Sequence, residues 1–430
     1  MTPKSPLLEW ISRHVSTVAV AQDLINPVSV VESYGTNDRS IVAQNEFEAG
    51  TKLVTLQTGA FLNGTYWFDN NGTQTKEYIH SLRLNGTVKT TVALLAEVAR
   101  GDKSDFYGYI KQLPAALSLP FTWDNTLRDM IQHTSVVSIL DDKLVLQMYW
   151  DYVVPLAKKF ATIWPHNVCT LEKFQWAYSI VSSRAFQATD MLEPTLLPVI
   201  DMANHEANKP VAHIVKTDFG SYELIALRKV EKGESVTISY GDMSNAQLLC
   251  RYGFVLPTLL PSDSIHITSS ELTNVFEACP WNRDEGDEQA EEHNLSFVGK
   301  GKGTAKTKNL AKRRKLAHPE NDDNTLVFFL NGNAEQEFGL SEALLSFVMA
   351  SQLPAERLYD VLAVILQEKD KWYSSLLALS SDNSASDLNT IKQLCRHERQ
   401  VCRCVLLGLM SLEESSDSSD DEDKVDIVCS

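Results

Sequence analysis

Cysteine is scarce. The 430 residues hold seven, Cys169, Cys250, Cys279, Cys395, Cys402, Cys404 and Cys429, and only Cys402-Arg403-Cys404 brings two close together. An odd, sparse set excludes a disulfide-framed secreted module and fits a reducing compartment. Long apolar runs are also missing. No stretch approaches the ~18 residues that a membrane-crossing helix needs. The first twenty residues carry charges and prolines where an export signal would have an apolar segment, so no export signal is expected. Positive charge is in deficit: 39 Lys and Arg stand against 56 Asp and Glu, a formal net charge of -17. That argues against binding nucleic acid through the whole surface. No G-x-G-x-x-G follows a strand, and G-x-x-x-x-G-K-[ST], H-E-x-x-H and G-x-S-x-G are absent, which disfavours dinucleotide redox chemistry, P-loop NTPases, zincins and α/β-hydrolases.

What is present is ordinary in bulk. Hydrophobic residues make up 43% and charged residues 22%, a globular composition, and the length suggests two to three domains. The acidity is concentrated at the end, where Ser411–Ser430 holds eight carboxylates against Lys424. With almost no apolar content this tail is expected to be disordered. Residues 284–323 open acidic and turn basic, with Lys312-Arg313-Arg314-Lys315 at their end. Lacking apolar periodicity they read as a charged loop, and the basic cluster is a candidate nuclear-import signal. Asn63-Gly64-Thr65, Asn71-Gly72-Thr73 and Asn85-Gly86-Thr87 are sequons on paper and read here as turn chemistry.

The front half alternates short β-like runs (Ser29–Val31, Ser40–Ala43, Leu53–Leu56, Ser235–Tyr240) with helical segments at Thr91–Arg100 and Leu171–Phe186. Beyond the charged loop the pattern is helical. Leu358, Val361, Leu362, Ile365 and Leu366 form one stripe, and Asp387 is a plausible N-cap for a last helix with Ile391, Cys395, Cys402, Val405 and Leu409 facing inward. Cys402 and Cys404 lack the further Cys or His partners of a zinc site and read as core and surface thiols, with no metal expected.

The densest chemistry lies between residues 180 and 255. Ser183-Arg184-Ala185-Phe186 is followed by Leu197-Pro198-Val199-Ile200-Asp201-Met202-Ala203-Asn204-His205, then by Ile238-Ser239-Tyr240-Gly241-Asp242-Met243-Ser244-Asn245, and finally by Tyr252-Gly253-Phe254. Each piece alone has a bland explanation. In this order and spacing they resemble the SET domain of protein methyltransferases, in the class that looks like the Rubisco large-subunit lysine methyltransferase. Phe106-Tyr107-Gly108-Tyr109-Ile110-Lys111-Gln112-Leu113-Pro114, with Trp123 and Leu127 downstream, is similar to that class's insert.

The resemblance implies an α+β architecture. A β-rich SET domain with a pseudoknot (25–258) would be split by a helical insert (about 88–180), preceded by an N-terminal arm (1–24) and followed by an all-α substrate-binding domain (259–410). It implies S-adenosylmethionine as methyl donor and a protein lysine as acceptor. Tyr240 would be the catalytic tyrosine. Asn204 and His205 would contact the cofactor, with Arg184 and Tyr240 beside it. Arg184, Asp201 and Tyr252 would line the substrate side. The family's glycine-flanked arginine loop corresponds to Asp38, Arg39 and Ser40, where Asp38 and Ser40 replace the glycines; these three are cofactor-binding candidates. The resemblance further implies a monomer acting in nucleus or cytoplasm on a ribosomal or other basic protein, without direct nucleic-acid or membrane contact. Competing readings are a histone or other nuclear substrate, a histidine acceptor, and a SET-like peptide-binding protein without turnover.

Overall fold

Alternating apolar residues in Lys52–Leu56 and Tyr222–Ala226 demand a face to bury, and a sheet supplies it. The computed structural model describes residues 10–11, 13–18, 40–140, 142–187, 193–278, 327–331, 342–351, 357–379 and 386–416. The expected strand at 29–31, Asp38 and Arg39, the 284–323 loop with Lys312–Lys315, and the acidic residues beyond 416 lie outside them. Two compact units are present. The first comprises residues 1–264, 331–333 and 371–401; the second comprises 265–330, 334–370 and 402–430.

In the first unit, β1 (Val15–Val18), β3 (Lys52–Leu56), β7 (Tyr222–Ala226) and β6 (Ala212–Lys216) form an antiparallel sheet in the order β1-β3-β7-β6. Its register pairs Leu56 with Tyr222 and Ile214 with Leu224. Leu53, Val54, Leu56 and Leu224 are fully buried in one core with Leu197, Val199, Ile200 and Ile238. Two short pairs complete this part: β2 (Ile41–Val42) with β8 (Ser235–Val236), and β4 (Ala185–Phe186) with β5 (Thr195–Leu196). The expected strand to Tyr240 therefore ends at Val236, and only Ile238 continues it, as a parallel bridge to His205.

The helical insert has a core of its own. Helices α1 (Gly64–Asn70), α2 (Gly86–Arg100) and α3 (Leu171–Arg184) bury Trp67, Val88, Val92, Leu95, Phe174 and Ala177 with Trp164. Asn63 and Asn85, read as turn residues, are N-caps whose side chains accept the Tyr66 and Val88 N–H groups at 2.8 and 2.9 Å. Capping at Asn85 is why α2 begins five residues before the expected Thr91. Buried Glu97 accepts from Trp67 Nε1, Arg100 Nη1 and Ser104 Oγ, each at 2.6 Å. A fully paired carboxylate of this kind ties helix to loop. Helix α3 stops at Arg184 rather than Phe186, because Ala185 and Phe186 turn into β4 to pair with β5.

Helix α4 (Asn245–Tyr252) is fixed at both ends. Ser244 and Gln247 form a capping box, satisfying two orphan donors at once. Asn245, fully buried, donates to Asp263 Oδ2 at 2.6 Å and to Thr258 O at 3.1 Å, and its amide oxygen accepts Leu256 N–H at 2.7 Å. At the far end Gly253 adopts φ +80, and a Cβ there would meet Ser118 O at 2.8 Å. Residues 371–401, placed with the C-terminal domain by the sequence pattern, belong to the first unit. There Glu398 accepts from Ser135 N–H at 2.9 Å and Tyr373 OH at 2.8 Å, and from the Ser135 hydroxyl.

The second unit is helical with one addition. Helices α5 (Ser269–Ala278), α6 (Glu342–Ala350), α7 (Leu358–Leu377) and α8 (Ser386–Ser416) are joined by a two-stranded ladder, β9 (Ser264–Thr268) with β10 (Val327–Asn331); α7 and α8 each contribute residues to both units. The apolar stripe from Leu358 to Leu366 is buried as its periodicity predicts. Lys369 Nζ sits 3.0 Å from Glu271 Oε1, a paired buried charge, and Cys402 donates to Leu366 O at 3.1 Å. Asp387 lies inside the first turn of α8 and is not its N-cap. The helix also takes in Ser411–Ser416, correcting the expectation of a structureless tail from 411: extending a formed helix is cheap, whereas nucleating one is not.

Gly253 and Gly233 separate backbone strain from steric clash. Both have positive φ, but a Cβ at Gly233 (φ +84) meets nothing within 4 Å. Gly233→Ala should lose about 1 kcal/mol of stability and Gly253→Ala more than about 2 kcal/mol, read from urea midpoints. Equal losses would remove Ser118 as the constraint behind Tyr252.

Candidate active site

The site begins with two chain segments laid side by side. Ile238 N–H donates to Asn204 O at 2.9 Å and Glu206 N–H to Ile238 O at 2.9 Å, a parallel pairing between segments some thirty residues apart. Val211 and Ala212 N–H both reach Thr237 O, at 3.0 and 2.9 Å. These bonds fix Ala203, Asn204 and His205 against Tyr240. The Tyr240 hydroxyl donates to Ala203 O at 2.8 Å, and Tyr240 N–H donates to His205 Nδ1 at 3.1 Å. With Nδ1 accepting, neutral His205 carries its proton on Nε2. Burial holds its pKa below the ordinary value, which keeps that tautomer uncharged.

Aromatic rings surround the phenol. His205 stacks on Tyr240 at 5.0 Å and 26°, and Tyr252 lies 4.6 Å from Tyr240 on centroids, with Phe254 6.0 Å beyond Tyr252. Burial pushes the Tyr240 pKa well up and raises that of Tyr252. Tyr240 is therefore a protonated donor at any physiological pH.

Arg184 and Asp201 meet next to this group. Arg184 is the last residue of α3, where the helix dipole favours a cation. Its Nη1 donates to Asp201 O at 3.1 Å and lies 3.7 Å from Asp201 Oδ2. The fully buried Asp201 side chain also accepts from Tyr109 OH at 2.7 Å. Asp201 follows Val199, a buried β-branched residue at φ +74, ψ −51, a strained conformation kept only where its surroundings enforce it.

A cavity of about 1060 Å³ joins these residues. Its polar wall holds Arg184, Asp201, Tyr240, Asp242, Arg251 and Tyr252; its apolar wall includes Phe121, Leu140, Leu144, Val145 and Tyr178. Four expected site residues, Arg184, Asp201, Tyr240 and Tyr252, thus share one cavity. Asn204 and His205 are not in its wall and join the group through the paired segments. Ser40, buried, precedes β2 and so lies one strand from the Ser235–Ile238 segment. Asp38 and Arg39 lie outside the described residues. Tyr109, Ser183, Phe186 and Asp242 carry no assigned role in the sequence reading, yet Tyr109 holds Asp201 and the other three line the cavity. Cys250 also lines it, and burial pushes its thiol pKa up to about 12, which leaves it a poor nucleophile.

Two polar groups at the site are uncommitted. Arg184 Nε is buried without a hydrogen-bond partner, and the half-buried Asn204 side chain makes no hydrogen bond to a described residue. Donors of this kind suit a ligand bearing a carboxylate and polar edges.

Comparison with known proteins agrees with this geometry. The SET domain family model matches residues 38–241. The ribosomal lysine N-methyltransferase set10 of Schizosaccharomyces pombe is 30% identical over 179 residues, 40% of this chain and 31% of that protein. The N-lysine methyltransferase SETD6 of Homo sapiens is 24% identical over 282 residues, 62% of this chain and 57% of that protein. The chain thus spans less than a third of the first of these relatives and under three fifths of the second. Rubisco LSMT bound to AdoMet superposes with a TM-score of 0.63 at 18% identity, covering 97% of this chain and 94% of that one. The complex with sinefungin and monomethyllysine superposes with a TM-score of 0.61 at 17% identity, covering 97% and 94%. At these identities the likeness is one of fold. The fold and the family match together place a SET domain at residues 38–241, just under half of the chain.

Proposed function

We propose that this protein is an S-adenosylmethionine-dependent protein-lysine N-methyltransferase. The observation that carries the reading is Tyr240, whose hydroxyl is tied to Ala203 O at 2.8 Å and which lines one cavity with Arg184, Asp201 and Tyr252. The names of set10 and SETD6 and the ligands of the Rubisco LSMT structures support it.

The chemistry requires an uncharged amine. Lysine has an ordinary pKa near 10.4, so roughly one side chain in a thousand is neutral at pH 7.4. A cavity walled by Tyr240 and Tyr252 desolvates the ammonium and disfavours its charge. The Tyr240 oxygen and the Ala203 carbonyl, held 2.8 Å apart, are fixed polar points that orient the amine, so positioning supplies much of the acceleration. Asn204, His205, Ser40 and the uncommitted Arg184 Nε would hold the cofactor, with Asp38 and Arg39 proposed beside them. When bound, the cofactor supplies an electrophilic methyl group on a positively charged sulfur. The formal net charge of -17 over the whole chain suits a basic acceptor. The set10 name favours a ribosomal protein as that acceptor, and the proposed place of action is the cytoplasm or nucleus.

Isotope-labelled methyl transfer to an acid extract of ribosomal proteins and histones tests the reading. Wild type should label one or a few proteins. Tyr240→Phe should reduce kcat about 10²- to 10³-fold. Asn204→Ala should weaken calorimetric cofactor binding about tenfold or more and abolish labelling. Labelling by Asn204→Ala at the wild-type level would refute the site. Cofactor binding without any transfer would identify a peptide-binding protein instead.

The pH profile has a definite sign. His205 is neutral above its ordinary 6.5 and held below that value by burial, and the Tyr240 phenol is held above 10. Neither titrates between pH 7 and 9. Over that range log kcat/KM should rise by about one per pH unit as the acceptor lysine deprotonates. A fall above pH 8 would show that an essential protonated group is lost there, which the raised phenol of Tyr240 does not allow, and would contradict this site.

A further inference from the structure

Asp201 is the polar hub of the site, and one of its hydrogen bonds comes from outside the sheet. Tyr109 lies in the short helical turn Tyr107–Ile110 of the insert, 92 residues away in sequence, and is wholly buried in the insert's core. Its phenol has its pKa raised well above 10, first by burial and then by the Asp201 charge; it can only donate. The turn it grips is strained at Val199 and otherwise held by three backbone bonds: Asp201 N–H to Leu197 O, Met202 N–H to Val199 O, and Ala203 N–H to Ile200 O, at 2.9, 3.1 and 3.1 Å. Two catalytic groups hang from this one turn. Arg184 bonds to Asp201 O, and the Tyr240 hydroxyl bonds to Ala203 O. A strained turn persists only where contacts over-determine it, and the charge-assisted bond from a phenol fixed in the insert's core is one of them.

We propose that Tyr109 is a positioning residue for methyl transfer: its hydroxyl clamps the Val199–Ala203 turn at Asp201, and so sets Arg184 and the Tyr240 hydroxyl together. This rests on the methyltransferase reading. The helical insert then contributes to the chemistry through one buried contact, besides walling the cavity.

Tyr109→Phe tests it, because the ring that packs in the core is retained. With the same acid extract as acceptor, kcat should fall about ten- to hundredfold, the loss expected when reacting groups are slightly misplaced. KM for the extract and the calorimetric affinity for S-adenosylhomocysteine should stay within about twofold, a split that a partly unfolded enzyme does not give. Calorimetric stoichiometry reports the folded fraction. In an Asp201→Ala background, Tyr109→Phe should cost no further activity, because the partner through which it acts is gone. Should Asp201→Ala fail to fold, the split between kcat and KM decides alone. Wild-type kcat in Tyr109→Phe, or an equal loss in both backgrounds, overturns the positioning role and leaves the methyltransferase reading intact. A wild type that neither binds S-adenosylhomocysteine nor transfers methyl overturns that reading, and this role with it.

Discussion

The site depends on the pairing of Asn204–Glu206 with Ile238. Two hydrogen bonds of 2.9 Å tie segments that belong to different parts of the chain. Without them Tyr240 has no fixed relation to Ala203, His205 or Asp201. Each such bond contributes only about 1 kcal/mol net. The pairing holds because Ile200, Met202, Ala203 and Ile238 are buried beneath it in the sheet core. Burial of apolar area does the stabilising, and the bonds choose the register.

From that register follows the character of the phenol. Stacked on His205 and beside Tyr252, Tyr240 is desolvated enough to stay protonated yet keeps a carbonyl acceptor. His205 answers to the same constraint: its Nδ1 is occupied by the Tyr240 N–H, so a proton arriving there breaks a bond that burial cannot replace with water. One backbone contact thus sets the tautomer of an imidazole and the orientation of a phenol.

Much of this was legible in the sequence, and the reasons for the rest are physical. Arg184, Asp201, Asn204, His205, Tyr240 and Tyr252 fall within seventy residues in chemically distinctive runs, so order and spacing were enough to group them. The apolar stripe of Leu358–Leu366 was equally plain, since helix periodicity survives any tertiary context. Tyr109 stands among the aromatic residues of the insert, but nothing local marks a tyrosine whose partner is 92 residues distant. The positive φ of Val199 could not be read either: a β-branched residue is a poor candidate for it, and only the packed core imposes it. Element ends misled where a single side chain decided them, as Asn85 did for the start of α2 and the β4 pairing did for the end of α3.

The insert's position between the sheet strands has an energetic logic. A helical core built around Trp67, Trp164 and Phe174 is dense and stiff, and interiors of that density resist small displacements. The catalytic turn, by contrast, is short and strained, with no regular structure beyond one 3₁₀ turn at Ile200–Met202. Coupling a strained element to a stiff one through a buried charge-assisted bond lets the first borrow the rigidity of the second. A loop alone could not hold Val199 at φ +74, because relaxation to an ordinary backbone conformation would gain of the order of 1–2 kcal/mol. The split of the domain by a helical insert is thus compatible with a precise site, and supplies part of its precision.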